Sequence, residues 1–456
     1  MKVTVYIPAY NYGKYIEKAI QSVLNQTMRD WELIIINDGS TDNTSDILKK
    51  YEHHPKIRIT EQENRGLTVS NNIALRLCNG EYLLRLDADD YLDENALLIL
   101  SNTLDAKPDV GLVYPDYYIV DEDGEVIEIV RRKKIGEEVE LLDLPAHGAC
   151  TMFRKECLLQ IGGYEESIEC QDGYDVWLKF IQLFKPYNVN LPLFYYRRHP
   201  GSLSTNQQKI LKVRRNIKRN FVNKYKGNAI PKVLAIIPVL KKSISSPSSP
   251  FTDMAGKPLI WYTLYQASRT KMLDKIVVTS DDEEVLEYAK AFEKNIIRIK
   301  RPCGLTKPSS KIQSTVNHTL TVLKEEVDYN PDAVMVLYIN APLRRKMHIE
   351  KAIDTLTIFD VDSVVSVCEE LAFCYQHAKS GLVPIHNKRN LRVERKALYK
   401  ENGAILLSKV DAITEEDFLG KKIGHIIMLP EESIKINSHF EFWLAEKIIS
   451  EWSQHE

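Results

Sequence analysis

An α/β fold with two Rossmann-like, doubly wound domains is predicted by three features of the sequence. Short β-branched runs alternate with helical stretches, the pattern of parallel strands joined by crossover helices. The alternation restarts after residue 228, at Val233-Leu234-Ala235-Ile236-Ile237-Pro238. The chain has 456 residues, more than a single hydrophobic core usually organises.

The first half reads element by element. Residues 3–7 form a strand, 15–26 a helix, 31–37 a strand and 45–51 a helix. A further strand lies within 80–86. At the junction, Ile210, Val213, Ile217 and Phe221 recur at steps of three and four, so 209–226 is an amphipathic helix. Its other face carries Lys209, Lys212, Arg214, Arg215, Lys218, Arg219, Lys224 and Lys226. That face suits solvent, or the surface of an anionic membrane. The expected boundaries are residues 1–205, a helix and linker at 206–228, and a second domain at 229–456.

Composition narrows the function. Lys and Arg number 61 and Asp and Glu 63, a net charge of −2, so nucleic acid is not an expected partner. Hydrophobic residues at 44% and charged residues at 27% exclude wholesale disorder. No apolar run is long enough to span a membrane. The first residues read as a strand, not a leader. Seven cysteines with no closely spaced pair indicate free thiols in a reducing, cytoplasmic setting.

Carboxylates cluster where strands end. Asp38-Gly39-Ser40-Thr41-Asp42 follows the strand at 31–37, and Asp87-Ala88-Asp89-Asp90 follows 80–86. Gln171-Asp172-Gly173-Tyr174-Asp175-Val176-Trp177 lies further on. Each alone is an ordinary turn or helix start, Asp90 equally so as a cap. Together they repel one another unless a cation or ligand sits among them. Two carboxylates one residue apart suit a hard divalent cation that also bridges phosphates. Departure of a diphosphate needs that cation, and activation of an acceptor hydroxyl needs a further carboxylate as base.

These motifs, with Ile7-Pro8-Ala9-Tyr10-Asn11, Asn64-Arg65-Gly66, Asn79-Gly80-Glu81-Tyr82 and Gly162-Gly163-Tyr164, resemble the family 2 inverting glycosyltransferases over residues 1–205. The resemblance implies the GT-A fold, a nucleoside-diphosphate sugar donor, usually UDP-linked, and Mn or Mg. It places Pro8, Tyr10 and Asp38 at the base and ribose. Asp87 falls at the donor, and Asp89 with Asp87 at the metal. Asp172 stands where the family keeps its catalytic base, with Gln171 in place of the usual glutamate. Asn71-Asn72 replaces the frequent Arg-Asn, and Asn72 falls at the donor. His147 and Trp177 are candidate acceptor contacts, and His199 a candidate contact to phosphate or metal. Cys150 and Cys157 read as packing residues.

The second half resembles the CMP-sialate (acylneuraminate) cytidylyltransferases. The matching segments include Ala255-Gly256-Lys257-Pro258-Leu259-Ile260, Ala341-Pro342-Leu343-Arg344 and Glu401-Asn402-Gly403-Ala404-Ile405. The family's phosphate loop is altered. Leu240 replaces its arginine, Lys241 and Lys242 its glycines, and Ile244 and Ser249 its lysines. Lys435 and Asn437 stand where two carboxylates would hold Mg. The resemblance therefore implies a fold kept without its reaction, available for ligand binding or for dimerisation.

The sequence thus reads as a glycosyltransferase of bacterial surface polysaccharide or glycoconjugate synthesis, cytoplasmic or peripheral at the inner face of the membrane. Two alternatives stand beside it. One is a bifunctional glycosyltransferase and CMP-acylneuraminate synthetase. The other is a non-catalytic assembly protein that binds sugar nucleotides.

Overall fold

The computed structural model describes all residues except 134, 136–147, 169, 200–206, 241–248, 307–309, 379–380, 386–397 and 452–456. The chain divides into two compact units, Met1–Ile217 and Lys218–Glu456. The division falls inside one helix, Gln207–Tyr225. Both units are α/β, as the alternation of elements predicts.

In the first unit, β1 (Val3–Ala9), β2 (Trp31–Asp38), β3 (Ile57–Gln62) and β4 (Tyr82–Arg85) are parallel, in the order β3-β2-β1-β4. Helices α1 (Ile16–Leu24), α2 (Thr44–Lys49) and α3 (Leu67–Leu77) connect them. The chain continues through β5 (Tyr91–Leu92), α4 (Ala96–Ala106), β6 (Val110–Val120), β7 (Val126–Val130) and β8 (Met152–Arg154). It then forms α5 (Lys155–Gln160), α6 (Asp172–Phe180) and β9 (Lys185–Arg197). The sheet extends as β4-β8-β6-β9-β5, with β7 paired to β6. Strand β8 runs antiparallel to both β4 and β6.

The period of a strand sorts side chains onto two cores. Val3, Val5 and Ile7 of β1, with Leu33 and Ile35 of β2, pack with α1 and α4 on one face. Tyr6, Ile34 and Ile36 point the other way, into a cluster holding Leu75, Leu158, Val176 and Trp177. A sheet covered on both faces needs near-continuous apolar strands, and β2 reads Leu-Ile-Ile-Ile. Strand β1 is flanked by β2 on one side and by β4 on the other, after the chain has moved outward through β2 and β3. Strand order reverses there, which opens a crevice at the C-terminal ends of the strands. Asp38 ends β2, and Asp87 follows β4.

The second unit holds a seven-stranded sheet. Its parallel part is Ile297–Lys300, Leu273–Ser280, Val233–Val239 and Ala333–Val336, in that spatial order. Leu398–Lys409 follows, antiparallel to both of its neighbours. Ser363–Glu370 and Ile423–Ile427 complete the sheet in parallel.

The junction helix departs from expectation on its basic side. Lys218 is only 6% exposed and donates to Thr355 Oγ1 at 3.2 Å. Arg219 pairs with Asp354 at 3.4 Å and Glu350 at 3.8 Å. These two cations are therefore engaged with carboxylates and a hydroxyl, not part of a solvated face. Among the described residues no helix is long and apolar enough to cross a membrane.

Candidate active site

The site lies at the strand ends of the first unit. Strand β4 brings Arg85 to its last position and hands the chain to Leu86, whose N–H donates to Tyr6 O at 2.9 Å. Asp87, Asp89 and Asp90 follow in a tight turn closed by Asp90 N donating to Asp87 O. Asp90 does not cap α4, which Asn95 precedes. Its Oδ1 instead accepts from Arg197 N at 2.9 Å. Its Oδ2 is buried with no hydrogen-bond partner among the described residues.

The electrostatics of this turn are costly without a ligand. Burial first, then the charges of Asp89 and Asp87, hold the Asp90 carboxyl well above the usual carboxylate range. Burial and Asp87 also raise Asp89, opposed by His199. His199 Nε2 lies 3.0 Å from Asp89 Oδ2. Its ring sits against Tyr15 and Tyr12, at centroid separations of 5.4 and 6.3 Å. The two groups come together across 110 positions of sequence.

A divalent cation fits this turn. Stacked, partly unpaired carboxylates beside an imidazole match its preference for hard oxygen and nitrogen donors. Among the described residues no three His, Cys, Asp or Glu side chains already form a metal cage. The arrangement therefore suits an ion held by one or two protein groups and completed by phosphates.

Asp172 begins α6 and is 8% exposed. The preceding Gln171 takes a left-handed conformation, φ 64°, which turns the chain into the helix. Arg214 Nε donates to Gln171 Oε1 at 2.7 Å, so this neutral residue has a partner of its own. Asp172 Oδ2 accepts from Arg85 Nη1 at 2.6 Å and from Asn71 Nδ2 at 3.0 Å. Arg85 also donates through Nε to Asp87 Oδ1 at 2.5 Å. One guanidinium therefore joins the strand-end turn to the start of α6. Arg85, Thr151, Tyr164, Asp172, Gly173 and Trp177 line a small pocket.

The other expected residues take varied places. Asp38 accepts from Gln62 Nε2 at 2.6 Å, Arg65 N at 2.8 Å and Gly66 N at 2.9 Å. It fixes the turn into α3, where Gly66 has φ 91°, open to a residue without Cβ. Pro8 is buried at the end of β1, and Tyr10 beyond it is 44% exposed. Asn72 binds Tyr164 N and O and Glu166, so it ties α3 to that loop. Trp177 is 2% exposed and meets Tyr114 edge to face, so most of its surface is core. Asp175 pairs with Lys179 at 2.5 Å. His147 lies outside the described residues. Cys150 and Cys157 are buried.

Sequence reading missed Arg85 and the contact of Asn71 with Asp172. The signal was a lone charge in the apolar strand Tyr82-Leu83-Leu84-Arg85, immediately before the aspartates.

In the second unit, Lys435 and Asn437 lie in the loop before the helix His439–Ser450. The Lys435 ammonium is 5.9 Å from the ring centre of Tyr338. Asn437 Nδ2 donates to Lys435 O. Leu240 is described, whereas Lys241, Lys242 and Ile244 lie outside the described residues.

Comparison with known proteins agrees with both halves. Residues 4–162 match the model of Glycosyl transferase family 2, and 234–428 match that of Cytidylyltransferase. The chondroitin synthase of Escherichia coli is 32% identical over 231 residues, 49% of this chain and 34% of that protein. The chondroitin and hyaluronan synthases of Pasteurella multocida are each 36% identical over 191 residues, 41% of this chain. The chain spans about a third or less of the length of these relatives. It therefore carries a glycosyl transferase family 2 domain in its N-terminal part and a cytidylyltransferase domain in its C-terminal part.

Proposed function

We propose that the N-terminal unit is an inverting glycosyltransferase. It moves a sugar from a nucleoside-diphosphate sugar, UDP-linked by family resemblance, to a glycan acceptor in polysaccharide or glycoconjugate synthesis. The observation that carries this reading is the joining of Asp87 and Asp172 through Arg85, which bonds to Asp172 across 87 positions of sequence. A donor-end carboxylate and a candidate base are thereby set on the two sides of one guanidinium.

Asp172 accepts the proton of the acceptor hydroxyl. The acceptor oxygen bonds to the anomeric carbon from the face opposite the phosphate, and the sugar–phosphate bond breaks. The electron pair leaves with the nucleoside diphosphate. Among the described residues Asn71 and Arg85 both bond Asp172 at Oδ2, and Oδ1 is the oxygen that meets the acceptor. Pro8, Tyr10 and Asp38 border the nucleoside. Asn72 acts at one remove, by holding the Tyr164 loop. Asp89, with Asp87 or His199, would hold Mn or Mg, whose charge would offset that of the departing diphosphate. The similarity to chondroitin and hyaluronan synthases favours a polysaccharide acceptor.

A second reading, synthesis of a CMP-sugar by the C-terminal unit, has the matching domain in its favour. Lys435 and Asn437 weigh against it, because a cation where Mg belongs repels the metal. The test is a thermal-shift screen of UDP, CDP, CTP, GDP and UDP-sugars, each with and without Mn. Ligand binding to the native state raises the melting temperature. The expected result is a Mn-dependent shift with UDP and a subset of UDP-sugars, which then release UDP on incubation with glycan. Equal shifts with and without Mn, or none with any nucleotide, would overturn the proposal.

A further inference from the structure

We propose that Arg85 is the positioning residue of this site, fixing the carboxyl of Asp172 relative to Asp87. The inference rests on the reading of Asp172 as base, and adds to it a residue that neither family motif nor spacing singles out.

The side chain is 7% exposed and ends a strand of the central sheet. Its backbone is pinned, because Cys150 N donates to Arg85 O at 2.7 Å. A Cβ at Gly148 would stand 3.2 Å from Nη1, so the main chain closes over the guanidinium. Nε and Nη1 then reach two different carboxylates at 2.5 and 2.6 Å. A guanidinium is a rigid planar fork, so two bonds from it fix the relation between their acceptors. Asn71 alone would hold Asp172 by a single neutral bond at 3.0 Å, about which the carboxyl can turn. Proton transfer is sensitive to that turn, since the accepting oxygen must come within hydrogen-bond reach of the hydroxyl.

Removing the fork also leaves the buried Asp172 and the half-buried Asp87 without their shared counter-charge. Lysine can restore the charge, but as a point donor it cannot hold both groups in one plane. Arg85 therefore acts through Asp172.

The experiment uses the full chain, with Mn and UDP as the binding probe. Turnover is read as UDP released from UDP-N-acetylglucosamine or from whichever UDP-sugar the screen selects. Arg85→Met is expected to lower kcat about 10- to 100-fold, the scale of a small misplacement of a catalytic group. KM for donor and Kd for UDP with Mn should change several-fold less than kcat, since Asp87 loses a partner while Asp89 keeps His199. Arg85→Lys should recover part of kcat. In an Asp172→Asn background, Arg85→Met should cost little more, because the residue it positions is already disabled.

Wild-type kcat in Arg85→Met would overturn the proposal. So would a loss of UDP affinity matching the loss of kcat, which would make Arg85 a donor contact. A double variant far slower than Asp172→Asn would assign Arg85 a role independent of Asp172, and overturn it too. Normal turnover in Asp172→Asn would instead remove the base reading, and this inference with it. If Arg85→Met melts below the assay temperature, Arg85→Lys carries the test, with reduced kcat at unchanged UDP affinity expected and wild-type kcat contradicting it.

Discussion

Arg85 Nη1 lies 2.6 Å from Asp172 Oδ2, so the last residue of a core strand is fixed to the first residue of a helix 87 positions later. The same guanidinium holds Asp87. Opposite ends of the proposed reaction, diphosphate departure and acceptor activation, thus share one buried cation.

Asp89→Asn is expected to abolish most Mn-dependent binding of UDP and to cost on the order of 10²–10³ in turnover, the usual loss of one electrostatic contact to a leaving group. The fold should survive, since the amide matches the carboxyl in shape and removes one of three crowded charges. Calorimetric titration of UDP with and without Mn checks it. Unchanged Mn-dependent affinity would place the metal elsewhere.

Trp177 separates packing from recognition. The indole is 2% exposed beside Tyr114, Val176 and Phe180. Trp177→Ala should destabilise the first unit by about 3–5 kcal/mol, the cost of emptying a core aromatic site. Trp177→Phe should fold and keep kcat within about tenfold of wild type. Denaturant unfolding alongside kinetics distinguishes the two. A fully folded but inactive Trp177→Phe would instead make the indole an acceptor contact.

The second unit should not make a CMP-sugar. The full chain with CTP, Mg and a panel of nonulosonic acids is expected to release no pyrophosphate above the sugar-free control. By the family resemblance Lys435 and Asn437 stand where carboxylates would bind Mg, and each missing electrostatic contact typically costs about 10²–10³ in rate. Sugar-dependent release would reinstate the bifunctional reading.

Acidification should destabilise the second unit through His348. Its Nδ1 accepts from Arg345 N at 3.1 Å and Nε2 pairs with Glu432 Oε2 at 3.2 Å, the bonds of a neutral ring. Burial pushes its pKa below 6.5. The unfolded chain titrates near 6.5, so below that pH it binds more protons than the native state. Stability is present above about pH 6.5 and falls as pH drops below it. His348→Gln should flatten that fall in a series of melts from pH 7.5 to 5. Parallel curves for the two proteins would contradict it.

Much of this was legible in the sequence. Apolar runs such as Leu33–Ile36 are long enough to be seen as strands buried on both faces, and the aspartates fall where those runs stop. The alternation placed the first strands and helices of the first unit and the opening strand of the second, with boundaries off by one or two residues. Pairwise geometry was not legible. Nothing in spacing relates Arg85 to Asp172 or Asp89 to His199, because the chain returns to each place only after folding. The junction helix misled for a related reason. Periodicity marks Lys218 and Arg219 as polar, yet they meet Thr355 and Asp354, far along the chain.

The most direct test of the account compares wild type with Asp172→Asn, measuring steady-state kcat on the selected UDP-sugar and Kd for UDP with Mn. Loss of a general base lowers kcat by roughly 10²–10⁴ and leaves nucleotide affinity near wild type. That pair of results is expected here. Turnover close to wild type at unchanged affinity would show that the acceptor proton goes elsewhere, and would contradict the mechanism at its centre.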